Sequence, residues 1–190
     1  DYGIQAKGVW LDGANISGQL NFEAATLNRP VWLVACSIKT DLILRDANIC
    51  TFGLNGSNVA AILGDRLSVA GALYLTHVNV HGETRLTGAA ITSNLECDGA
   101  EFDNPGGRAF VADAVRAGGG VFMHRVKAHG EARFPGADIT GNLECNEAEF
   151  NNPNSHAFVA DGVKVGGDVF MHSVKILGET RLVGADIAGN

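Results

Sequence analysis

The chain repeats itself every 48 residues. The segment GETRLTGAAITSNLECDGAEFDNP begins at Gly82, GEARFPGADITGNLECNEAEFNNP at Gly130 and GETRLVGADIAGN at Gly178. The stretches between them match as well: AFVADAVRAGGGVFMHRVK over 109–127, AFVADGVKVGGDVFMHSVK over 157–175, and a looser copy, AILGDRLSVAGALYLTHVN, from Ala61. A fixed period of tens of residues marks a stacked architecture, in which each unit buries its apolar side against its neighbours.

The unit divides further. Over 163–187, apolar or small residues fall in pairs two apart: Val163/Val165, Val169/Met171, Val174/Ile176, Thr180/Leu182 and Ala185/Ile187. A spacing of two places both members on one face of an extended strand. The pairs step by 6, 5, 6 and 5 residues and return after 22, so four short strands close one coil. The coil before it reads Ala137/Ile139, Leu143/Cys145, Ala148/Phe150 and Phe158/Ala160; four extra residues at one corner make it 26 long. The pattern runs back through Val115/Ala117, Ala89/Ile91, Leu67/Val69, Cys36/Ile38 and Ala14/Ile16. This predicts about seven coils of 22–31 residues, the longest carrying an insertion around Asn55 to Ala61. Polar residues such as Asp138, Glu144, Glu149 and Asp186 alternate outward, and Gly136, Gly141, Gly178 and Gly184 mark corners where positive φ is useful. A helical reading fails, because apolar residues do not recur at i, i+3, i+4 over any long window. The expectation is a single all-β domain over 1–190, a four-sided parallel β-helix.

GADITGNLEC at 136–145 and GANISGQLNF at 13–22 resemble the pentapeptide-repeat proteins. Ala137-Asp138-Ile139 and Ala14-Asn15-Ile16 match the first three positions of that repeat; the six-residue steps and the corner insertions depart from it. The resemblance, to long bacterial repeat proteins, implies a right-handed quadrilateral solenoid. It also implies that some relatives mimic duplex DNA and bind type II topoisomerases.

Composition narrows the function classes. The formal charge of −7 disfavours direct nucleic-acid binding, since phosphate must be neutralised by Lys and Arg. The longest apolar run, residues 31–36, is far short of a membrane helix. Cys36, Cys50, Cys97 and Cys145 form no CxxC and lie at no zinc-finger spacing from a His. They read as four buried, unpaired thiols in a reducing, cytoplasmic setting, with no metal. GxGxxG, Walker A, GxSxG and HExxH patterns do not occur, so no catalytic residue and no cofactor is assigned.

Other repeated features read as structural. The glycines at 118–120 align with 166–168 and 70–72 as a corner; His124 and His172 share one place on a solvated outer face; and Glu83/Arg85, Glu131/Arg133 and Glu179/Arg181 are surface pairs that serve register. The irregular features are the corner loops 103–108 and 151–156, expected to stack into a mobile ridge that Asn55 to Asn58 also joins. Loops on a rigid scaffold are where binding resides, which makes Asn104, Arg108, Asn152, Asn154 and His156 the candidate binding residues. The function expected is a non-enzymatic scaffold or protein-interaction module with a protein partner. The alternatives are a topoisomerase-binding DNA mimic and a carbohydrate-active or acyl-transfer β-helix enzyme. The start inside a coil at Ile4/Ala6 and the stop at Asn190 in mid-repeat suggest a fragment of a longer repeat protein, or ends that associate end to end.

Overall fold

In the computed structural model, which describes residues 8–189, the chain winds into eight stacked coils. No helix occurs among the described residues. The stacking is fixed by one column of parallel pairs: Val9, Val31, Phe52, Leu73, Leu95, Val121, Leu143 and Val169. Coils therefore begin at 9, 31, 52, 73, 95, 121, 143 and 169, with lengths of 21, 22 or 26 residues. Each coil contributes a strand to four faces. Face 1 is an eight-stranded sheet ending on Val169–Phe170, and face 4 is an eight-stranded sheet ending on Asp186–Ile187. Faces 2 and 3 merge into one twelve-stranded sheet, because Glu101–Val111, Lys127–Arg133, Glu149–Val159 and Lys175–Arg181 run unbroken through the corner between them.

The other corners have a common device. One residue in each corner between faces 1 and 2 and between faces 3 and 4 adopts positive φ, among them Ala24, Ala35, Asp46, Gly56, Arg66, His77 and Gly88. Its N–H reaches the carbonyl of the next coil, as in Asp46 to Asp65 at 3.0 Å and His77 to Asp98 at 2.9 Å. The turn thus continues the interstrand ladder, and an alanine, aspartate, arginine or histidine is held in the left-handed region in exchange for a satisfied donor. Gly136 and Gly184 fit the expectation of positive φ. Gly141 does not; it packs its Cα against the backbone of Gly119 and Gly120, where a Cβ would come within 2.9 Å.

The inward pairs form the core. Ile139, Leu143 and Cys145 are buried, as are both residues of Val115/Ala117, Ala89/Ile91 and Cys36/Ile38. The coil count differs from the sequence reading, which made 36–67 one 31-residue coil. Ser37–Ile38 stacks on Asn58–Val59, whereas Ser68–Val69 stacks on Asn48–Ile49, two faces further round. Asn55 and Gly56 are an ordinary corner and not part of an insertion. The pattern was obscured because Ser57 and Gly64 stand at inward positions of this coil. Ser57 earns its place through hydrogen bonds: its buried Oγ donates to Leu33 O at 2.7 Å and accepts from Cys36 N at 2.9 Å.

The 48-residue period has a packing cause. In the 26-residue coils, Phe102 faces Phe110 across the interior at 4.8 Å and Phe150 faces Phe158 at 4.9 Å. The coil between them carries Ala128 and Ala132 at the same ladder positions. Large over small over large keeps the interior filled without overlap, and the four extra residues open the corner enough to admit two rings. Outward charges alternate in sign on the same coils, as Glu101, Lys127, Glu149, Lys175 on face 2 and Arg116, Asp138, Lys164, Asp186 on face 4. A slip by one coil would set like charges side by side, so these columns oppose misregister.

One core position is imperfect. Thr84 is fully buried between Ile62 and Phe110, and its Oγ1 has no hydrogen-bond partner among the described residues. Thr84→Val keeps the shape and removes the stranded hydroxyl, so it is expected to stabilise by about 1 kcal/mol. Chemical denaturation of the two proteins side by side checks this; a destabilised valine variant would mean that the hydroxyl is bonded in solution.

Candidate functional site

The two loops emerge at one corner, between faces 2 and 3, on the fifth and seventh coils. The ladder shifts register between Asp103 and Arg108 in one and between Asn151 and His156 in the other. Both are closed by the same staple: Asn104 Nδ2 donates to Arg108 O at 2.9 Å, and Asn152 Nδ2 donates to His156 O at 2.8 Å. Both are also tied to the following coil. Asp103 lies 3.3 Å from His129 Nδ1, Arg108 lies 3.8 Å from Glu131, and His156 Nε2 lies 3.3 Å from Glu179. Asn154 is exposed at its loop tip, whereas Asn152 is buried. All five sequence-predicted residues therefore share an edge. They form two ridges separated by one short coil, not one cluster. Asn55 to Asn58 lies elsewhere, at the corner between faces 1 and 2, so the three-member ridge expected from sequence has two members.

The repeated Glu and Arg residues on face 3 do more than pair locally. Arg85 binds Asp65 of the coil before at 2.8 Å and Glu83 of its own coil at 3.2 Å; Arg133 repeats this with Asp113 at 2.7 Å and Glu131 at 3.4 Å. Arg181 meets Asp161 at 2.8 Å. These bridges stitch successive coils.

His124 is also more engaged than a solvated face implies. Its backbone N–H donates to Asp98 Oδ1 at 2.9 Å, its ring Nδ1 lies 3.4 Å from Asp98 Oδ2, and Nε2 lies 2.9 Å from Glu144. One imidazole thus spans three coils. His172, its counterpart, donates its backbone N–H to Asn146 Oδ1 at 2.9 Å. Together with Arg125 and Glu147, His124 lines an open groove of about 490 Å³. The Arg125 guanidinium holds the Glu147 carboxyl below its ordinary range. A depressed carboxylate stabilises the fold above its ordinary pKa and loses that contribution as pH falls through the folded value. The exposure of this pair keeps its effect small.

The cysteines are poor nucleophiles. Burial pushes the Cys145 thiol up to about 12 and raises Cys97 well above its ordinary value. Cys36 is buried too, but Cys50 is half-exposed, which corrects the reading of four buried thiols. All four are free. A thiol reagent acting on the folded protein is expected to modify Cys50 alone, with the other three reacting after denaturation. Rapid labelling of two or more thiols in the native state would contradict the core packing.

Sequence reasoning missed face 1. The middle residues of its strands form an outward column: Trp10, Trp32, Gly53, Tyr74, Glu96, Phe122, Glu144 and Phe170. Trp32 folds over Gly53, whose Cα lies against the indole and which is buried in consequence. Trp10 and Trp32 have ring centroids 5.7 Å apart, and Trp32 and Tyr74 5.1 Å, so three rings overlap like tiles along the face. Trp10 is 63% exposed and Phe170 41%. The signal was present as aromatic residues between inward partners, but the column is visible only once the coil register is known.

The fold defines a β-solenoid repeat protein. No protein-family model, no curated protein and no solved structure matches the chain.

Proposed function

We propose that the protein is a non-enzymatic scaffold whose edge loops are recognised by a protein partner, in a divergent form of the pentapeptide-repeat architecture. The observation that carries this reading is the duplication of one built loop. Residues 104–108 and 152–156 share the same asparagine staple and the same corner, with tethers to the following coil, while the coil between them is held short. Insertions with no role need no such repeated construction. The Ala-Asp-Ile and Ala-Asn-Ile segments at 137–139 and 14–16 support the family likeness; coils of 21 and 22 residues exceed four strict pentapeptides. Duplex mimicry is the weaker reading, because Asp65, Asp113 and Asp161 are each neutralised by an arginine, and a mimic of phosphates needs rows of uncompensated charge.

Deletion of 104–107 and 152–155 restores two ordinary 22-residue coils and should leave the β-rich circular dichroism spectrum intact. Pull-downs from a lysate of the source organism should then lose the partner recovered with the unaltered protein. Retention of the same partner by the deleted form would remove the loops from recognition.

A further inference from the structure

We propose that face 1 is a docking platform for an extended, arginine- or lysine-rich segment of a partner protein. The proposal rests on the scaffold reading but not on the edge loops. Three features of the outward column carry it. First, none of its eight residues is a lysine or arginine, whereas the outward columns of faces 2, 3 and 4 contain Lys127 and Lys175, Arg85, Arg133 and Arg181, and Arg116 and Lys164. Second, the column alternates rings with carboxylates over four coils as Tyr74, Glu96, Phe122 and Glu144. Third, the carboxylates are oriented: Asn94 Nδ2 donates to Glu96 Oε1 at 3.0 Å, and Asn142 Nδ2 donates to Glu144 Oε1 at 3.0 Å. Asp98 lies on the adjoining corner, where it is shared with His124.

The chemistry fits a cationic chain. A guanidinium or ammonium is drawn to the face of an aromatic ring by its quadrupole and to a carboxylate by its charge, and an alternating stripe offers both along one line. The rigid backbone holds the stripe in place without ordering cost. From Trp32 to Glu144 the stripe crosses five coil intervals, about 24 Å at the interstrand spacing, which an extended peptide of about eight residues covers. The overlapping Trp10, Trp32 and Tyr74 form its apolar end.

The protein carries its own reporter, since its two tryptophans, Trp10 and Trp32, both lie on this face. Tryptophan emission is followed while a capped octapeptide of alternating arginine and glycine is added at low salt. Parallel titrations use the alternating glutamate–glycine octapeptide and a neutral β-linked glucose hexamer, which would stack on the rings without needing the carboxylates. The expected result is a saturable change with the arginine peptide alone. It should weaken about tenfold on raising the salt to half molar, and about tenfold in Trp32→Ala, where Trp10 still reports. The isosteric pair Glu96→Gln and Glu144→Gln, combined in one protein whose melting is checked to match the parent, should lose most of the affinity. No response to the arginine peptide overturns the proposal. So does an equal response to the sugar or the glutamate peptide, or undiminished binding by the double glutamine variant. The loop-deleted protein retains all of face 1 and must bind the peptide as the parent does, so failure here and failure of the loop reading are separately visible.

Discussion

Replacement of Phe134 by alanine is expected to cost about 4 kcal/mol, the largest loss of any single truncation in the stack. Phe134 is fully buried on the 22-residue coil between the two inserted coils. Its ring lies 5.6 Å from Phe110 and 5.8 Å from Phe158, so it joins the Phe102–Phe110 pair to the Phe150–Phe158 pair. Its neighbours above and below in the ladder are Ala112 and Ala160, one step on from the paired residues Val111, Arg133 and Val159. Alanines cannot swell to fill the space, and the coil spacing is set by backbone hydrogen bonds on both sides, such as Phe134 N to Val159 O at 2.7 Å. The cavity therefore stays open, and both the transfer and the cavity contributions are lost. Urea denaturation followed by circular dichroism measures it. A loss below about 1.5 kcal/mol would show that the coils collapse over the gap, contrary to a rigid ladder.

Gly130→Ala should cost about 3 kcal/mol, although it adds one methyl group to a surface coil. Gly130 has φ +129°, a region that side-chain-bearing residues rarely enter. A Cβ there would strike Asn104 O and come within 2.9 Å of Gly107 O and 3.1 Å of Ala109 Cβ. The loop on the fifth coil thus folds down onto a glycine that is needed for want of room. Gly178 repeats the arrangement under the second loop, at φ +130° and with a Cβ 2.8 Å from Ser155 O. Gly136→Ala is the matched control: its φ is +64°, nothing lies within 4 Å of the added methyl, and only the left-handed backbone, about 1 kcal/mol, is charged against it. Equal costs at the two sites would show that the loop does not rest on Gly130.

Much of this architecture was legible in the sequence. The pairs two apart, the return after 22 residues and the 26-residue variants followed from strand periodicity, because an inward residue must be apolar or small in a narrow interior. Val163/Val165 and Ala137/Ile139 were placed correctly for that reason. The reading slipped where the rule was broken by a satisfied polar group: Ser57 is inward yet bonded to Leu33 and Cys36, so the apolar pattern skipped half a turn and one coil went uncounted. The loop edge was legible as well, since a four-residue excess at the same step of two coils emerges at the same corner.

The sequence alone therefore determined the class of fold, the period and the residues that face inward, all of which are local consequences of a two-residue alternation. Tertiary structure decided what is adjacent across coils. The outward positions carry no periodic constraint of their own, and their neighbours lie 20 to 26 residues away, at distances set by corner lengths. The Trp10, Trp32 and Tyr74 column, the span of His124 from Asp98 to Glu144, and the left-handed corners at Ala24, Asp46 and Arg66 all depend on that register. A corner residue is forced into positive φ by the carbonyl waiting on the next coil, and a ring lies flat where the coil beside it happens to offer Gly53. Both are properties of stacked chains, which strand periodicity by itself does not encode.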